Sequence, residues 1–175
     1  MATITLSDHV ISTFTNGLAT LSHVLRVAEA HAAANGLDAD AEYLQARLVA
    51  DQLPLTFQVQ NATVTVRKNI ARLTGAADVA WADDEKTFAD LHARIAKALD
   101  VLKSADAAAI DARAEEEVEL PFAGKPTKLS SKQSALGHGI PNFYFHTATA
   151  YSILRSKGVP IGKKDWIAGF LGVTL

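Results

Sequence analysis

The fold prediction rests on Pro141-Asn-Phe-Tyr-Phe-His-Thr-Ala-Thr-Ala-Tyr-Ser-Ile-Leu-Arg155, which indicates a buried helix near the end of the chain. Its residues are apolar on nearly every side, and a helix of that kind packs inside a protein rather than on its surface. Asn142 and His146 are four residues apart, so both lie on one face of this helix. Two helical side chains at this spacing can bind one metal ion, although an asparagine amide is a poor ligand for most transition metals.

The composition predicts a globular, largely helical protein. A chain of 175 residues fits one domain over residues 1–175 and can bury a core. The formal net charge of -2 argues against a nucleic-acid or anionic-membrane partner, and no window approaches the roughly 18 apolar residues of a spanning helix. Without cysteine there is no disulfide or thiolate metal site. The N-terminus lacks signal-peptide features, so we expect a cytoplasmic protein.

Four long helices are predicted, because apolar residues recur three and four positions apart. Pro54 is expected in the first turn of the second helix, where its missing N–H costs little. A short helical turn is predicted at 41–47, with Tyr43, Leu44 and Leu48 facing inward, and Trp81 is expected to pack on the helices. The long helices are predicted at 8–35 after an N-cap at Ser7 or Asp8, at 51–73 with a stop at Thr74-Gly75, at 87–104 after Asp83 or Asp84, and at 132–157 after Ser130 or Ser131. A short apolar segment with Trp166, Ile167, Phe170 and Leu171 is predicted after the tail at 159–165.

A change of period before the last helix predicts a β-hairpin. Polar and apolar residues alternate over 116–122, a turn follows at 124–126, and 127–129 returns as the second strand. Pro141 is expected to kink or restart the last helix, since proline removes one intrahelical hydrogen bond. Four long helices with one hairpin before the last predict an all-α four-helix bundle.

Polar residues on the second and last helices predict a small pocket in the bundle core. Asp51 and Gln58 are two turns apart on one helix face, and we expect them to face Asn142 and His146. A charged Asp–His pair there would raise the pKa of the histidine, as a general base requires. Two alternatives stay open, in which His146 is a core histidine with a satisfied hydrogen bond and Asp51 is an N-cap. Tyr151 either reaches the rim of the pocket or bonds within the core. The histidines expected at the rim or exposed are His9, His23, His31 and His92.

Several motifs together resemble an uncharacterised bacterial domain-of-unknown-function family of the DinB/YfiT-like superfamily. The resemblance covers nearly the whole chain. The motifs that carry it are Arg47-Leu-Val-Ala-Asp51-Gln-Leu-Pro54-Leu with Gln58-Val-Gln60, Ala71-Arg-Leu-Thr-Gly75, Pro141-Asn-Phe-Tyr-Phe-His146 with Ala150-Tyr-Ser-Ile-Leu-Arg155, and Gly158-Val-Pro-Ile-Gly-Lys-Lys-Asp165.

The resemblance implies a four-helix bundle, often dimeric, whose metal-binding members hold a divalent ion such as Zn²⁺ or Ni²⁺ with three histidines. His146 matches the second histidine of the H-x-x-x-H on the last helix, and Asn142 stands where the first would be. The histidine of the second helix has no counterpart, and Asp51 or Gln58 is the nearest polar substitute. His146 and Asp51 are therefore the candidate metal ligands. Characterised relatives include transferases and isomerases that use low-molecular-weight thiols.

Two functional hypotheses follow. In the first, the bundle is an enzyme-like protein that binds a small molecule, with His146 as metal ligand or general base and Asp51 as its orienting carboxylate or co-ligand. Gln58, Asn142 and Tyr151 would then contact the substrate, in a site of the thiol-dependent transferase kind. In the second, the protein is a non-catalytic binding or stress-associated bundle that has lost the metal centre, and the same residues form a buried network. A homodimer is expected in either case, with Trp166, Phe170 and Leu171 at the interface.

Overall fold

The computed structural model describes residues 4–173, which form helices and one β-hairpin. A π-helical turn, Ala135–Gly139, joins the sixth and seventh helices. The elements in chain order are α1 Leu6–Ala34, α2 Ala39–Tyr43, α3 Leu55–Thr74, α4 Phe88–Lys103, α5 Ala107–Ala112, β1 Glu117–Phe122, β2 Lys125–Ser130, α6 Ser131–Ser134, α7 Ile140–Ser156 and α8 Lys163–Leu171.

The long helices α1, α3, α4 and α7 pack on one another around a core made of their apolar faces. Phe14 of α1 and Phe143 of α7 meet at its centre, with ring centroids 5.1 Å apart in an edge-to-face arrangement. Burying such side chains is the main favourable term in folding. The predicted fold class, mostly helical with a hairpin before the last long helix, is confirmed.

Helix α1 begins two or three residues earlier than predicted. Thr5 is the N-cap, and its hydroxyl accepts a hydrogen bond from the backbone N–H of Asp8, whose carboxylate accepts one in return from the N–H of Thr5. This is a capping box. Ser7 was predicted as a cap but is buried, and its hydroxyl donates to Asp111 of α5 at 2.7 Å. Its side chain therefore fastens α5 to α1.

Helix α4 also has a different cap from the one predicted. Thr87 is the N-cap and forms a capping box with Asp90. Asp83 and Asp84 precede the helix, and Asp83 is paired instead with Arg94 at 2.7 Å. A threonine with an acidic residue three positions later can satisfy two orphan N–H groups, which a lone aspartate cannot.

The predicted start of the second long helix at Asp51 is wrong. Helix α3 starts at Leu55, and Pro54 is its N-cap in extended conformation, with φ -71° and ψ 175°. A proline disfavours helical geometry at the residue before it, so Asp51 lies in an exposed turn outside the helix. The predicted end is correct, because Gly75 closes the helix in the left-handed region at φ 76°.

Two short helices at the edge of the core differ from the prediction. Helix α2 is capped by Asp38 and ends at Tyr43, and the following Leu48, predicted to face inward, is exposed. Helix α5 was not predicted, since its six residues contain little apolar period; it is capped by Asp106 and buries Ile110. The predicted apolar segment around Trp166 is helix α8.

The α3–α4 connection packs on the helices through Trp81, as predicted. Its ring lies 5.5 Å from the guanidinium of Arg67, 5.6 Å from that of Arg94 and 4.6 Å from the ammonium of Lys97. Arg67 also donates to the carbonyl of Val79 in the same connection. Cations over an indole face are attracted by the ring quadrupole, so these side chains hold an otherwise irregular segment.

The hairpin is confirmed, and its register pairs Leu120 with Thr127. Ala123 and Gly124 form its two-residue turn with φ values of 51° and 76°. Positive φ at both central residues matches the right-handed twist of the flanking strands. Leu120 is buried under the hairpin, whereas Phe122 on the same face is 61% exposed.

The predicted break near Pro141 takes the form of the π-helical turn between α6 and α7. Ser130 is the N-cap of α6, one of the two residues predicted for that role. Pro141 then falls in the first turn of α7, where its missing N–H is tolerated. Gly139 ends the π-helical turn against α3: a Cβ on it would lie 2.2 Å from Oδ1 of Asn69. Glycine at this position therefore lets the π-helical turn approach the Asn69 side chain of α3 closely.

We expect Gly139→Ala to lower the free energy of unfolding by about 1–3 kcal/mol, because the added methyl collides with the buried side chain of Asn69, which is held by its hydrogen bond to the carbonyl of Thr65. Gly137→Ala is the matched control from the same π-helical turn, since among residues 4–173 no atom lies within 4 Å of its Cβ position. The control should be neutral or slightly stabilising, as alanine favours helix over glycine. Urea unfolding measures both. Equal effects of the two substitutions would contradict the close-packing interpretation.

Candidate functional site

Helices α3 and α7 bring together three of the five residues predicted for the site. Gln58 on the first turn of α3 contacts His146, while Thr65 two turns further along contacts Asn142. The two helices therefore run antiparallel with their polar residues in register. The geometry of each contact decides what chemistry the site can offer.

The contact between Gln58 and His146 fixes the tautomer of the histidine. The side-chain N–H of Gln58 donates to the carbonyl oxygen of Leu53 at 2.8 Å, which turns its Oε1 toward the imidazole. That oxygen can only accept, so Nδ1–H of His146, 2.8 Å away, is the donor. The neutral ring then carries its lone pair on Nε2. Thus His146 is an imidazole base or hydrogen-bond acceptor at a defined atom.

The surroundings of His146 keep it uncharged. Its side chain is 8% exposed, and the rings of Phe57 and Phe145 stand edge-to-face to it at 5.9 and 5.2 Å. Burial lowers the pKa of His146 from 6.5 to about 4. The prediction that a charged aspartate would raise this pKa is therefore not met. Phe145 itself is 59% exposed, which leaves an apolar surface beside the histidine.

Asn142 uses its amide to join the two helices. Its side-chain N–H donates to the hydroxyl oxygen of Thr65 at 2.7 Å, and that hydroxyl donates in turn to the carbonyl of Asn61 at 2.7 Å. A chain of this kind satisfies polar groups in a mostly apolar interface. Thr65 was not singled out from the sequence, because a threonine within an apolar period gives no signal of its partner.

Asp51 and Tyr151 are placed elsewhere. Asp51 lies exposed in the turn before α3, and the ring of His146, with which it was expected to pair, bonds Gln58 instead. Tyr151 packs against Trp166 of α8 at 5.9 Å between ring centroids, on the side of α7 that faces the C-terminal helix. The functional roles proposed for the five residues stay predictions.

Three of the remaining histidines also have partners. His23 bonds Asp165 of α8 at 3.0 Å and His31 bonds the hydroxyl of Tyr43 at 3.0 Å. His92 was predicted to be exposed but is half-buried and bonds Glu29 at 2.9 Å. These contacts join neighbouring helices, so several histidines of the sequence have structural roles rather than marking a functional site.

The residues present do not fit the three-histidine metal site that the resemblance implies. Within residues 4–173, no three His, Cys, Asp or Glu side chains come together in a group that could hold a metal ion. Nε2 of His146 is one suitable donor. The amides of Asn142 and Gln58 are engaged with Thr65 and with His146, and amides bind transition metals weakly.

Comparison with known proteins gives the family. Residues 6–167 match DUF1993, described as a domain of unknown function, so the chain belongs to this family. It is similar to a DinB family member protein from Shewanella denitrificans in a crystal structure, with 39% identity and a TM-score of 0.84 over 93% of this chain and 91% of that one. The comparison with curated proteins gives no match. No helix within residues 4–173 has the length and apolar character needed to cross a membrane.

Proposed function

We propose that this DinB-like protein binds a small organic molecule beside α7, with Nε2 of His146 accepting a hydrogen bond from the ligand. The observation that carries the proposal is the fixed tautomer of His146. Because Gln58 accepts the hydrogen bond from Nδ1–H, the lone pair of the neutral ring lies on Nε2. The exposed ring of Phe145 next to it offers apolar contact. A few oriented polar atoms among aromatic side chains are typical of small-molecule sites.

Hydrogen bonding suits this histidine better than proton abstraction. A general base works best when its pKa is near the operating pH. With a pKa of about 4, His146 is unprotonated at neutral pH but has little affinity for a proton. The ligand we expect therefore carries a hydroxyl, amide or thiol group whose hydrogen forms a hydrogen bond to Nε2 without being transferred to it.

Nitrogen NMR of histidine-labelled protein tests this proposal. At neutral pH we expect His146 to show a protonated Nδ1 and an unprotonated Nε2, and Gln58→Leu to lose that preference because the orienting acceptor is gone. A fragment screen should then shift the Nε2 signal with hydrogen-bond donors but not with their methylated analogues. Equal shifts from both sets, or the opposite tautomer, would overturn it.

Binding of a divalent metal ion is tested separately on the same protein. Because the donor set is incomplete, we expect untagged protein titrated with Zn²⁺ or Ni²⁺ to show no stoichiometric site, and His146→Ala to behave as wild type. Calorimetry measures both titrations. A one-to-one site lost on His146→Ala would restore the metal-dependent, thiol-transferase hypothesis.

The second candidate is a non-catalytic bundle that has lost the metal centre. It is favoured by the engagement of both amides within the protein, since Asn142 bonds Thr65 and Gln58 bonds His146. Under this hypothesis the residues fix the register of α3 and α7. A fragment screen without any ligand for His146, together with loss of stability in Asn142→Leu, would favour it over ligand binding.

A homodimer through α8 remains a proposal. Trp166 and Phe170 are half-buried against Tyr151 and Tyr144 of α7, whereas Leu171 is 71% exposed. Light scattering at micromolar concentration should give a dimer for wild type and a monomer for Leu171→Glu. A wild-type monomer would refute the proposal.

A further inference from the structure

A groove lies between the β-hairpin and the π-helical turn, and none of its residues belongs to the His146 site. Its volume is about 610 Å³, within the range of small-molecule sites. The hairpin contributes Leu120, Phe122 and Leu129, and the segment facing them contributes Leu136. Phe122 and Leu136 are exposed although apolar, so the groove presents surface that a ligand would remove from water.

Four polar side chains also line the groove, Thr127, Lys132, Gln133 and His138, and two of them, Lys132 and His138, can offer N–H donors to an anion. Lys132 borders the groove, and its ammonium is 3.6 Å from a carboxylate oxygen of Glu115, a loose contact between exposed side chains. His138 also lines the groove, with its ring edge-to-face to that of Phe122 at 6.4 Å. Lys132 thus has a positive charge that can turn toward a bound anion.

The burial of one ring nitrogen of His138 indicates how this histidine meets a ligand. Burial and the nearby charge of Arg72 lower its pKa, so the ring is neutral at pH 7. Nδ1 is enclosed and has no hydrogen-bond partner within residues 4–173. A proton on Nδ1 would be a buried N–H without an acceptor, which costs about 1–3 kcal/mol, so the proton belongs on Nε2. His138 therefore offers a donor.

The π-helical turn makes room for this arrangement. Its wider turn includes Gly137, which lines the groove and whose Cβ position is surrounded by open space. π-helical turns of this kind occur often at functional sites.

From these features we propose that the groove binds an amphipathic carboxylate, an apolar chain or ring bearing one carboxylate group. The apolar part lies between Phe122 of the hairpin and Leu136, and the carboxylate is bound by the ammonium of Lys132 and the N–H of His138. An anion suits the site because Lys132 and His138 both offer donors and Lys132 carries a positive charge. A cationic ligand would leave both without a partner.

Decanoate, used below its micelle concentration, is the probe for this site. Calorimetry should show saturable one-to-one binding to the full-length protein, and NMR should show shifts of the His138 ring and the Leu136 methyl groups. Leu136→Gln should weaken binding by at least about tenfold, equivalent to roughly 1.4 kcal/mol. Leu37→Gln between α1 and α2 is the matched control, an exposed leucine outside both the groove and the proposed dimer interface, and should leave binding unchanged. Equal weakening by both, or no saturable binding, would overturn the proposal.

A neutral analogue tests the carboxylate. Wild type should bind decanoate more tightly than 1-decanol by about fivefold or more, and Lys132→Met and His138→Phe should each reduce that ratio while leaving 1-decanol affinity nearly unchanged. His138→Phe keeps an aromatic ring against Phe122, so the variant preserves the packing. Equal affinities of wild type for the two compounds would overturn the assignment of the ligand as an anion.

Discussion

Replacing Arg94 with methionine is expected to lower the free energy of unfolding by about 3–5 kcal/mol, because it leaves a buried carboxylate without its cation. Arg94 is 5% exposed and its guanidinium donates to four oxygens. Its Nε reaches the hydroxyl of Thr63 at 2.8 Å and its Nη1 reaches Glu85 at 2.6 Å. The remaining donors reach the carbonyl of Ala82 and the carboxylate of Asp83, both at 2.7 Å.

Urea unfolding of Arg94→Met measures this loss, with Lys97→Met as the matched control. Lys97 is exposed and lies over the same Trp81 ring at 4.6 Å, so its loss removes a cation–π contact alone. About 1 kcal/mol or less is expected for the control. Similar losses in both variants would show that the ion pairs of Arg94 add nothing beyond the contact with Trp81.

The same variant should change the acid sensitivity of the fold. Burial raises the pKa of Glu85, but hydrogen bonds from Gln60 and Arg94 outweigh it, so the folded-state pKa lies below its ordinary value. Stability from a lowered carboxyl pKa is present above the unfolded-state pKa and is lost as pH falls through the folded one. Arg94→Met should therefore lose less stability on acidification than wild type. Unfolding at two pH values measures the difference.

Acidification should also destabilise the protein through His146. Its pKa is about 4 in the folded protein against 6.5 unfolded, so the unfolded chain takes up the proton first. The contribution of the neutral His146 to folding stability is complete above the pKa of the unfolded state, 6.5, and is lost as the pH falls toward the folded-state pKa of about 4. Between about pH 7.5 and pH 4.5, wild type should lose roughly 2–3 kcal/mol more than His146→Met, whose side chain does not titrate.

Unfolding curves at both pH values test this prediction, and His9→Met is the control. His9 is exposed, so its removal should leave the pH dependence as in wild type. His146→Met also leaves Oε1 of Gln58 without its donor, which costs about 1 kcal/mol at neutral pH and is separate from the slope. Parallel losses in wild type and His146→Met would contradict a lowered histidine pKa.

Periodicity and helix-end residues predicted most of the fold. Apolar residues at three- and four-residue spacing placed the four long helices, and Gly75 marked the end of α3. The start of α3 was missed because Pro54 was assigned to the first turn, where its ring is tolerated, although the extended Pro54 caps the helix. Helix α5 was missed because a single buried side chain, Ile110, gives no period.

The site was less predictable, since its geometry depends on contacts between distant segments. The spacing of Asn142 and His146 placed both on one face of α7, and Gln58 was correctly expected opposite. Asp51 was expected in the core only because the start of α3 was predicted at Asp51 instead of Leu55. Three of the four partners of Arg94 come from an irregular connection, whose sequence has no period from which contacts could be inferred.

The register between α3 and α7 limits how this protein can change shape. Sliding α7 by one turn would displace its side chains by about 5.4 Å and separate every polar pair in the interface. These contacts oppose shear between α3 and α7, so we expect a ligand-driven rearrangement to move the hairpin or α8 instead. The contacts that prevent sliding are those of Gln58 with His146, Thr65 with Asn142 and Asn69 with Gly139.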